Sequence, residues 1–336
     1  MKSCSTLIRG YNEEEHIGRL LSGILQQTVK DVQIILVDSG STDATLSIAA
    51  AFSARHPVEV VKIRPEEFTY GRSLNMGMAH AVKDFVVIAS AHVYPVYPDW
   101  LEQMLKPFDD PQVALTYGKQ RAPKTSHYSE NQIWRQWYPD GPKPNQKNPF
   151  CNNANAAIRR SLWLEHPYDE TLSGLEDMDW ARWAQEQGHL ITYVPEAEVM
   201  HLHHETWHGI YNRYKREAMA FKYIYPQEKF SLGDMLRLWL VNVSNDFRDA
   251  AREKVFGKHW ARIMAYRYNQ FLGTYHGYRR QESLTWELRR EYYYPRMESN
   301  GTPKSRTFAP IRYQDDTQNG LSGEPASLNK PAEENK

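Results

Sequence analysis

Within the first 43 residues, two polar turns each follow an apolar run. Thr6-Leu7-Ile8 leads into Arg9-Gly10-Tyr11-Asn12-Glu13, and Val32-Gln33-Ile34-Ile35-Leu36-Val37 leads into Asp38-Ser39-Gly40-Ser41-Thr42-Asp43. Between them Ile17, Leu20, Leu21 and Ile24 recur at helical spacing. Strand, polar loop, amphipathic helix, strand is a β-α-β beginning, which requires a parallel strand pair with the helix as crossover. The rhythm continues with a helix over 42–56 capped by Ser41, a strand over 58–63, a helix over 73–82 and a strand over 85–89. The predicted fold class is therefore α/β, a mostly parallel sheet covered by helices on both faces. Such sheets bind ligands where loops leave the carboxyl ends of the strands. Three loops there carry unusual chemistry, at 10–15, 38–43 and 90–99.

Residues 121–150 are rich in Pro, Asn, Lys and Trp and read as a long loop with a short helix near 133–137. A second ordered block runs over 152–204, with a helix over 176–187 ended by Gly188 and a strand over 190–194. From about 207 to 291 the pattern is helical, and after 297 apolar residues become sparse enough to expect a disordered tail. The expected organisation is a catalytic domain over 1–205, a helical extension over 206–296 and a tail over 297–336.

Lys plus Arg and Asp plus Glu both number 41, so no global basic field recruits nucleic acid. Cys4 and Cys151 are too few for a disulfide framework and lack zinc-site spacing, which fits a reducing compartment. The apolar run at 5–8 is too short for a secretory signal, and the run at 232–243 is broken by Asp234 and Arg237. The expected location is cytoplasmic, soluble or peripheral at the inner face of the plasma membrane.

A carboxylate such as Asp38 at a strand's carboxyl end can hold a ribose or a base edge, while the following Ser, Gly and helix amides favour anionic oxygens. An N-capped turn would use the same residue types. Read together with Arg9-Gly10-Tyr11-Asn12-Glu13 and Gln27-Thr28, the pair resembles the opening of family 2 glycosyltransferases. The resemblance continues through Phe68-Thr69-Tyr70-Gly71-Arg72-Ser73-Leu74-Asn75-Met76-Gly77, similar to the family's helix entry beside the nucleotide. It continues again through 150–160, similar to the segment containing Asn155 and Arg159 in rhamnosyltransferase-like members. These motifs span about 200 residues in order, which chance rarely produces.

The resemblance implies a GT-A fold with a C-terminal helical extension, a nucleotide-sugar donor, a glycan or lipid-linked acceptor and usually a divalent cation, Mn or Mg. It implies an inverting transfer in bacterial surface polysaccharide biosynthesis. It also implies donor contacts from Tyr11, Asn12, Glu13, Asp38, Ser39, Arg72, Asn75 and Ser90. For Arg72 a solvated first-turn residue, and for Asn75 an amide bracing the neighbouring loop, remain open alternatives.

Gly174-Leu175-Glu176-Asp177-Met178-Asp179-Trp180 sets three carboxylates at a helix start. Acidic residues favour any first helical turn, but three so close repel one another and raise a pKa unless a dipole, cation or substrate faces them. In the family this segment carries the general base, which matches Asp177. Glu176 and Asp179, with Asn155 and Arg159, would then shape the acceptor side.

One departure stands out. Where the family places metal-binding carboxylates, this chain reads Ala89-Ser90-Ala91-His92-Val93-Tyr94-Pro95, so His92 falls at the position of the metal-binding Asp. Imidazole suits Mn, Fe, Co or Zn better than Mg. Cation binding through His92 and direct contact between His92 and phosphate both remain open. His201, in Val199-Met200-His201-Leu202-His203-His204-Glu205, is the second candidate ligand and His203 the next, although in an extended segment only one of the two faces the site.

The helical block interleaves Arg237, Arg248, Arg252, Lys254, Lys258, Arg262, Arg267, Arg279 and Arg280 with aromatics. It could lie on an anionic membrane or simply cover the catalytic domain with its charges solvated. Two other function classes compete with transfer. A nucleotidyltransferase would begin with a Gly-rich basic loop, whereas 10–15 is acidic. A degenerate module would bind a nucleotide sugar or partner without turnover, and donor hydrolysis separates it from an enzyme.

Overall fold

A computed structural model of the chain describes residues 2–123, 126–141, 146–202 and 206–280. His203, His204 and Glu205, the part of the expected extension over 281–296 and the expected tail over 297–336 lie outside the described residues.

The strands are β1 (Cys4–Gly10), β2 (Val32–Asp38), β3 (Val58–Lys62), β4 (Phe85–Ser90), β5 (Val93–Pro95), β6 (Val113–Arg121), β7 (Asn155–Arg159) and β8 (Leu190–His201). They form one sheet in the order β3-β2-β1-β4-β7-β6-β8-β5. β1, β2, β3 and β4 are mutually parallel, β7 runs antiparallel between β4 and β6, β8 is parallel to β6, and β5 closes the far edge antiparallel to β8. Only Ala91 and His92 separate β4 from β5 in sequence, so the sheet must curl to bring its β5 edge back beside the carboxyl end of β4.

The helices are α1 (Ile17–Leu25), α2 (Thr45–Ser53), α3 (Tyr70–His80), α4 (Trp100–Leu105), α5 (Tyr128–Trp137), α6 (Arg160–Glu165), α7 (Glu176–Glu186), α8 (Trp207–Ile224), α9 (Leu232–Arg252) and α10 (Phe256–Arg279). Alternation along the central strands feeds two cores. Leu7, Ile35, Val37, Val86 and Ile88 pack on one face, while Ile8, Ile34, Leu36, Val87 and Ala89 pack on the other. Full burial on both faces is why these strands read as unbroken apolar runs.

Three boundaries differ from the sequence expectation for local reasons. α2 begins at Thr45 with Ala44 as its N-cap residue, because the Ser41 hydroxyl expected to cap it instead accepts the Asn12 N–H at 2.9 Å. α3 begins at Tyr70, where the Thr69 hydroxyl accepts the Arg72 N–H at 3.1 Å. The helix expected near 133–137 extends back to Tyr128, because its apolar face enters the core through Ile133 and Trp134.

α8, α9 and α10 follow the sheet. α10 closes on α8 at Gly273 and Gly277, where an added Cβ would collide with the carbonyl oxygens of Tyr211 and Lys215. α9 starts with a capping box between Ser231 and Asp234. A buried bidentate pair, Arg267 to Asp246 at 2.8 and 2.9 Å, ties α10 to α9, and the same guanidinium reaches the Ser129 carbonyl on α5 at 3.5 Å. No described helix is long and apolar enough to cross a membrane.

The curl depends on Gly118, which lies beside a register irregularity between β6 and β8. A Cβ built there would overlap the Ala197 carbonyl and the Asn155 side-chain amide. Gly118→Ala should therefore destabilise the chain by about 1–3 kcal/mol, read as a lower urea midpoint.

Candidate active site

The β1–α1 and β2–α2 loops form one latched plate at the carboxyl end of the sheet. Asn12 takes a left-handed conformation (φ 54°), which turns its side chain back so that Oδ1 accepts the Thr42 N–H at 2.8 Å. The Glu13 N–H donates to the Thr45 hydroxyl at 2.7 Å, and the Glu14 N–H donates to Asp43 at 3.0 Å. The Ser39 N–H donates to the Gly10 carbonyl at 3.2 Å. Tyr11 is half-buried in this plate.

Asp38 ends β2 with a buried carboxylate. Its Oδ2 accepts the N–H groups of Gly40 and Ser41, each at 3.1 Å, which fixes the group's orientation. Its Oδ1 is buried without a hydrogen-bond partner among the described residues. A buried carboxylate oxygen left unpaired is costly.

The acidic helix start faces the same end of the sheet. Leu175, in the left-handed region (φ 58°), ends the approach to α7. Arg9 Nη1 donates to Glu176 Oε1 at 3.2 Å, linking the first strand to the seventh helix. Asp177 accepts the Asn153 N–H at 3.0 Å and the Met178 N–H at 2.8 Å. Its carboxyl is pushed up to about 7, first by desolvation and then by the neighbouring Glu176 charge, against the two backbone N–H groups and the more distant Arg9. A carboxylate that titrates near neutrality is suited to taking up a proton. Asp179 points along its own helix to Arg182 at 2.9 Å.

The position between β4 and β5 carries a row of rings. His92 Nδ1 lies 2.7 Å from Glu13 Oε1, and its ring stacks on His201 with centroids 5.0 Å apart. The pairing of Val93 with His201 across β5 and β8 brings the two rings together. His201 Nδ1 meets Gln120 Oε1 at 2.7 Å, and Trp134 closes the row at 5.2 Å. A carboxylate on Nδ1 orients an imidazole in the way second-shell partners orient metal-bound histidines. Even so, among the described residues no three His, Cys, Asp or Glu side chains converge to hold a cation. Among the described residues the chain therefore supplies no complete cation site of its own.

Several residues expected at the site do other work. Arg159 lies at the opposite end of the sheet, because β7 is antiparallel and Arg159 pairs with Phe85 at the start of β4. There it donates to the carbonyls of Val113, Phe108 and Asp110. Asn155 is fully buried and braces the curl, donating to the Lys119 and Ala197 carbonyls and accepting from Trp100 Nε1. Asn75 spends its whole amide inside the protein, on the Tyr168 carbonyl, Glu170, Trp163 Nε1 and the Tyr168 N–H. Arg72 pairs with Glu170 at 3.2 Å. Ser90 stays at the rim, its N–H 3.4 Å from the Ala154 carbonyl, while Ser39 is buried with its hydroxyl 3.5 Å from the Gly10 carbonyl.

Sequence reasoning missed three contributors. Arg9 was visible as a lone charge in an apolar strand. Tyr70 lay within the helix-entry motif but was not singled out, and Arg216 gave no signal. The guanidinium carbons of Arg9 and Arg216 lie 5.1 and 5.0 Å from the Tyr70 ring centroid, so α8 supplies part of this wall.

Residues 5–165 match the family described as Glycosyl transferase family 2. Over 220 residues the chain is 27% identical to the O-antigen chain rhamnosyltransferase RfbN of Salmonella typhimurium, covering 62% of this chain and 69% of that protein. It is 30% identical over 208 residues to the O-antigen chain rhamnosyltransferase WbaN of Salmonella anatum, covering 56% of this chain and 62% of that one, short of two thirds of the relative's length. The fold is similar to that of the mannosyltransferase PcManGT from Pyrobaculum calidifontis, solved with GDP-Man and Mn2+. That likeness has a TM-score of 0.55 at 18% identity, over 81% of this chain and 84% of the other. The GT-A architecture expected from the sequence is the one the chain adopts, with a sheet that is more mixed than expected.

The raised Asp177 carboxyl has a stability consequence. In the unfolded chain an Asp titrates near about 3.9, whereas here it titrates at about 7. Between those values the native state binds more protons than the unfolded state, so stability falls as pH rises through this window. Asp177→Asn removes that dependence. The variant's melting temperature relative to the parent should rise from about pH 4 to about pH 7 and level off above it, read by thermal unfolding at matched ionic strength.

Proposed function

We propose that the chain, whose residues 5–165 match the family described as Glycosyl transferase family 2, transfers a sugar, with inversion, from a nucleoside-diphosphate donor to a glycan or lipid-linked acceptor during assembly of a bacterial surface polysaccharide. The observation that carries the reading is Asp177, a carboxylate titrating at about 7 at a helix start facing the strand ends. The relatives' names support the polysaccharide setting, and the neighbour solved with GDP-Man supports a nucleotide-sugar donor.

The nucleoside lies against the latched plate. Its base or ribose donates to the unpaired Asp38 Oδ1, and Tyr11 borders it. Asn12 and Ser41 act by holding the plate rather than by touching the donor. The acceptor hydroxyl approaches from the α7 side. Asp177 takes its proton as the new bond to the anomeric carbon forms and the bond from that carbon to the diphosphate oxygen breaks on the opposite face. Glu176, held by Arg9, keeps negative charge beside Asp177, and Asp179 borders the acceptor.

A divalent cation, when bound, would neutralise charge on the departing diphosphate. His92 would be its ligand from the protein and His201 the second, with Glu13 orienting the His92 ring. The protein would work in the cytoplasm, at the inner face of the membrane that carries its acceptor.

Asp177→Asn should leave donor affinity within about twofold while lowering turnover by about 10²–10⁴-fold, measured by calorimetric titration and product formation. Unchanged turnover would remove Asp177 from the mechanism. Thermal shifts with UDP-, GDP- and dTDP-sugars in Mn, Mg or EDTA test the cation separately. One nucleotide class should stabilise the native state, and the gain should shrink in EDTA and in His92→Ala. A gain indifferent to EDTA but lost in His92→Ala would place the His92 ring directly on the phosphates, and a gain indifferent to both would remove His92 from donor binding.

A further inference from the structure

The α9–α10 hairpin carries an uncovered apolar face. Leu236 and Leu240 on α9 and Phe256, Trp260, Met264 and Tyr268 on α10 are each more than a third exposed. The α10 residues recur every four positions, so they form one stripe. Two contacts set the rows side by side. Trp239 donates to the Met264 carbonyl and meets the Tyr268 ring edge-on at 6.5 Å, and Phe247 meets Phe256 at 5.0 Å. The continuous inner face is occupied by Val243, Ala250 and Ile263 packing with Tyr128, so the exposed stripe is additional to the core.

The charge around this stripe is one-sided. Residues 232–280 hold nine Lys or Arg against four Asp or Glu, in a chain whose total is balanced. α10 contains no acidic residue, and Arg237, Arg252 and Arg262 are exposed. The buried Asp246–Arg267 pair removes one of each sign, and Arg237 and Arg252 lie 3.6 and 3.5 Å from Asp234 and Asp249, so the excess over 232–280 stays at five positive charges. Two copies of this face would bring like charges together, which opposes self-association. Exposed Trp, Tyr, Phe and Leu beside Lys and Arg is instead the composition of a surface lying in the headgroup region of an anionic bilayer.

We propose that the α9–α10 hairpin is a membrane-docking surface that lies flat on anionic phospholipid, with Leu240, Trp260, Met264 and Tyr268 entering the interface and the flanking Arg and Lys on the headgroups. α10 is seated on α8, which carries Arg216 beside Tyr70, so docking would set the candidate site at a fixed height above the lipid. The inference gains meaning from the transfer reading but does not rest on it, because lipid binding needs no donor.

The test is flotation of the full chain with vesicles of phosphatidylethanolamine and phosphatidylglycerol, compared with phosphatidylcholine alone, and with Trp260→Glu/Met264→Glu and Arg237→Glu/Arg262→Glu. Binding should require the anionic lipid, weaken with salt, and fall at least about tenfold in each double variant, with thermal unfolding and donor-nucleotide binding unchanged. Parent protein that stays with the soluble fraction at low salt would overturn the proposal. So would equal binding by the Trp260→Glu/Met264→Glu variant, or light scattering that shows a dimer dissolved by that variant. Vesicle binding without transfer activity would refute the catalytic reading and leave the docking surface standing.

Discussion

Two adjacent carboxylates stand at the buried start of α7, and one guanidinium, 167 positions earlier in the chain, stands against them. Burial and the neighbouring Glu176 charge drive Asp177 towards protonation. Arg9 and the backbone N–H groups of Asn153 and Met178 hold the two acids in place. Much of the surrounding architecture serves that arrangement. β1 must run parallel beside β4 to present Arg9 at the carboxyl end, and the loop before β7 must turn to offer the Asn153 N–H. α7 must begin with its first turn aimed at the sheet. The consequence of placing two acids where they repel is a carboxyl that titrates near neutrality.

The opposite side of the cleft is organised by hydrogen bonding rather than charge. Asn12, Ser41, Asp43 and Thr45 exchange backbone and side-chain bonds between two loops that are about 30 residues apart in sequence, so neither loop can move alone. On that rigid plate Asp38 Oδ1 is a buried side-chain oxygen with no hydrogen-bond partner among the described residues. Under the proposed transfer, a stiff side and a charge-tuned side suit a reaction in which one partner must be held while the other is activated.

The residues that were legible in the sequence are those whose role is local. Asp38 ends an apolar run, Asp177 begins a helix, and both signals lie within a few positions. Asn155 and Arg159 were misread because their setting depends on the antiparallel β7, a strand that alternation alone does not reveal and that reverses which end of the segment meets the cleft. Asn75 and Arg72 were placed correctly at a helix entry, yet their partners Tyr168 and Glu170 come from about 95 residues away, so sequence could not tell a brace from a contact. Arg216 was invisible for the same reason, since nothing in α8 announces that it stands over Tyr70. His92 was legible as a departure from an expected acid. Its partnership with His201 follows from sheet curl, which sequence does not encode in any short window.

The seam between α8 and α10 has a consequence in time as well as in space. Gly273 and Gly277 allow backbone contact with Tyr211 and Lys215, so α8 is held from behind by one of the last described helices of the chain. A ribosome releases β1, the latched plate and α7 well before residues 273–277 emerge, and domains generally condense in that order. The wall formed by Arg216 and Tyr70 is therefore completed late. A nascent or prematurely ended chain would carry a formed sheet and a formed acid pair but an unbraced cleft, so complete synthesis is itself a condition for a finished site.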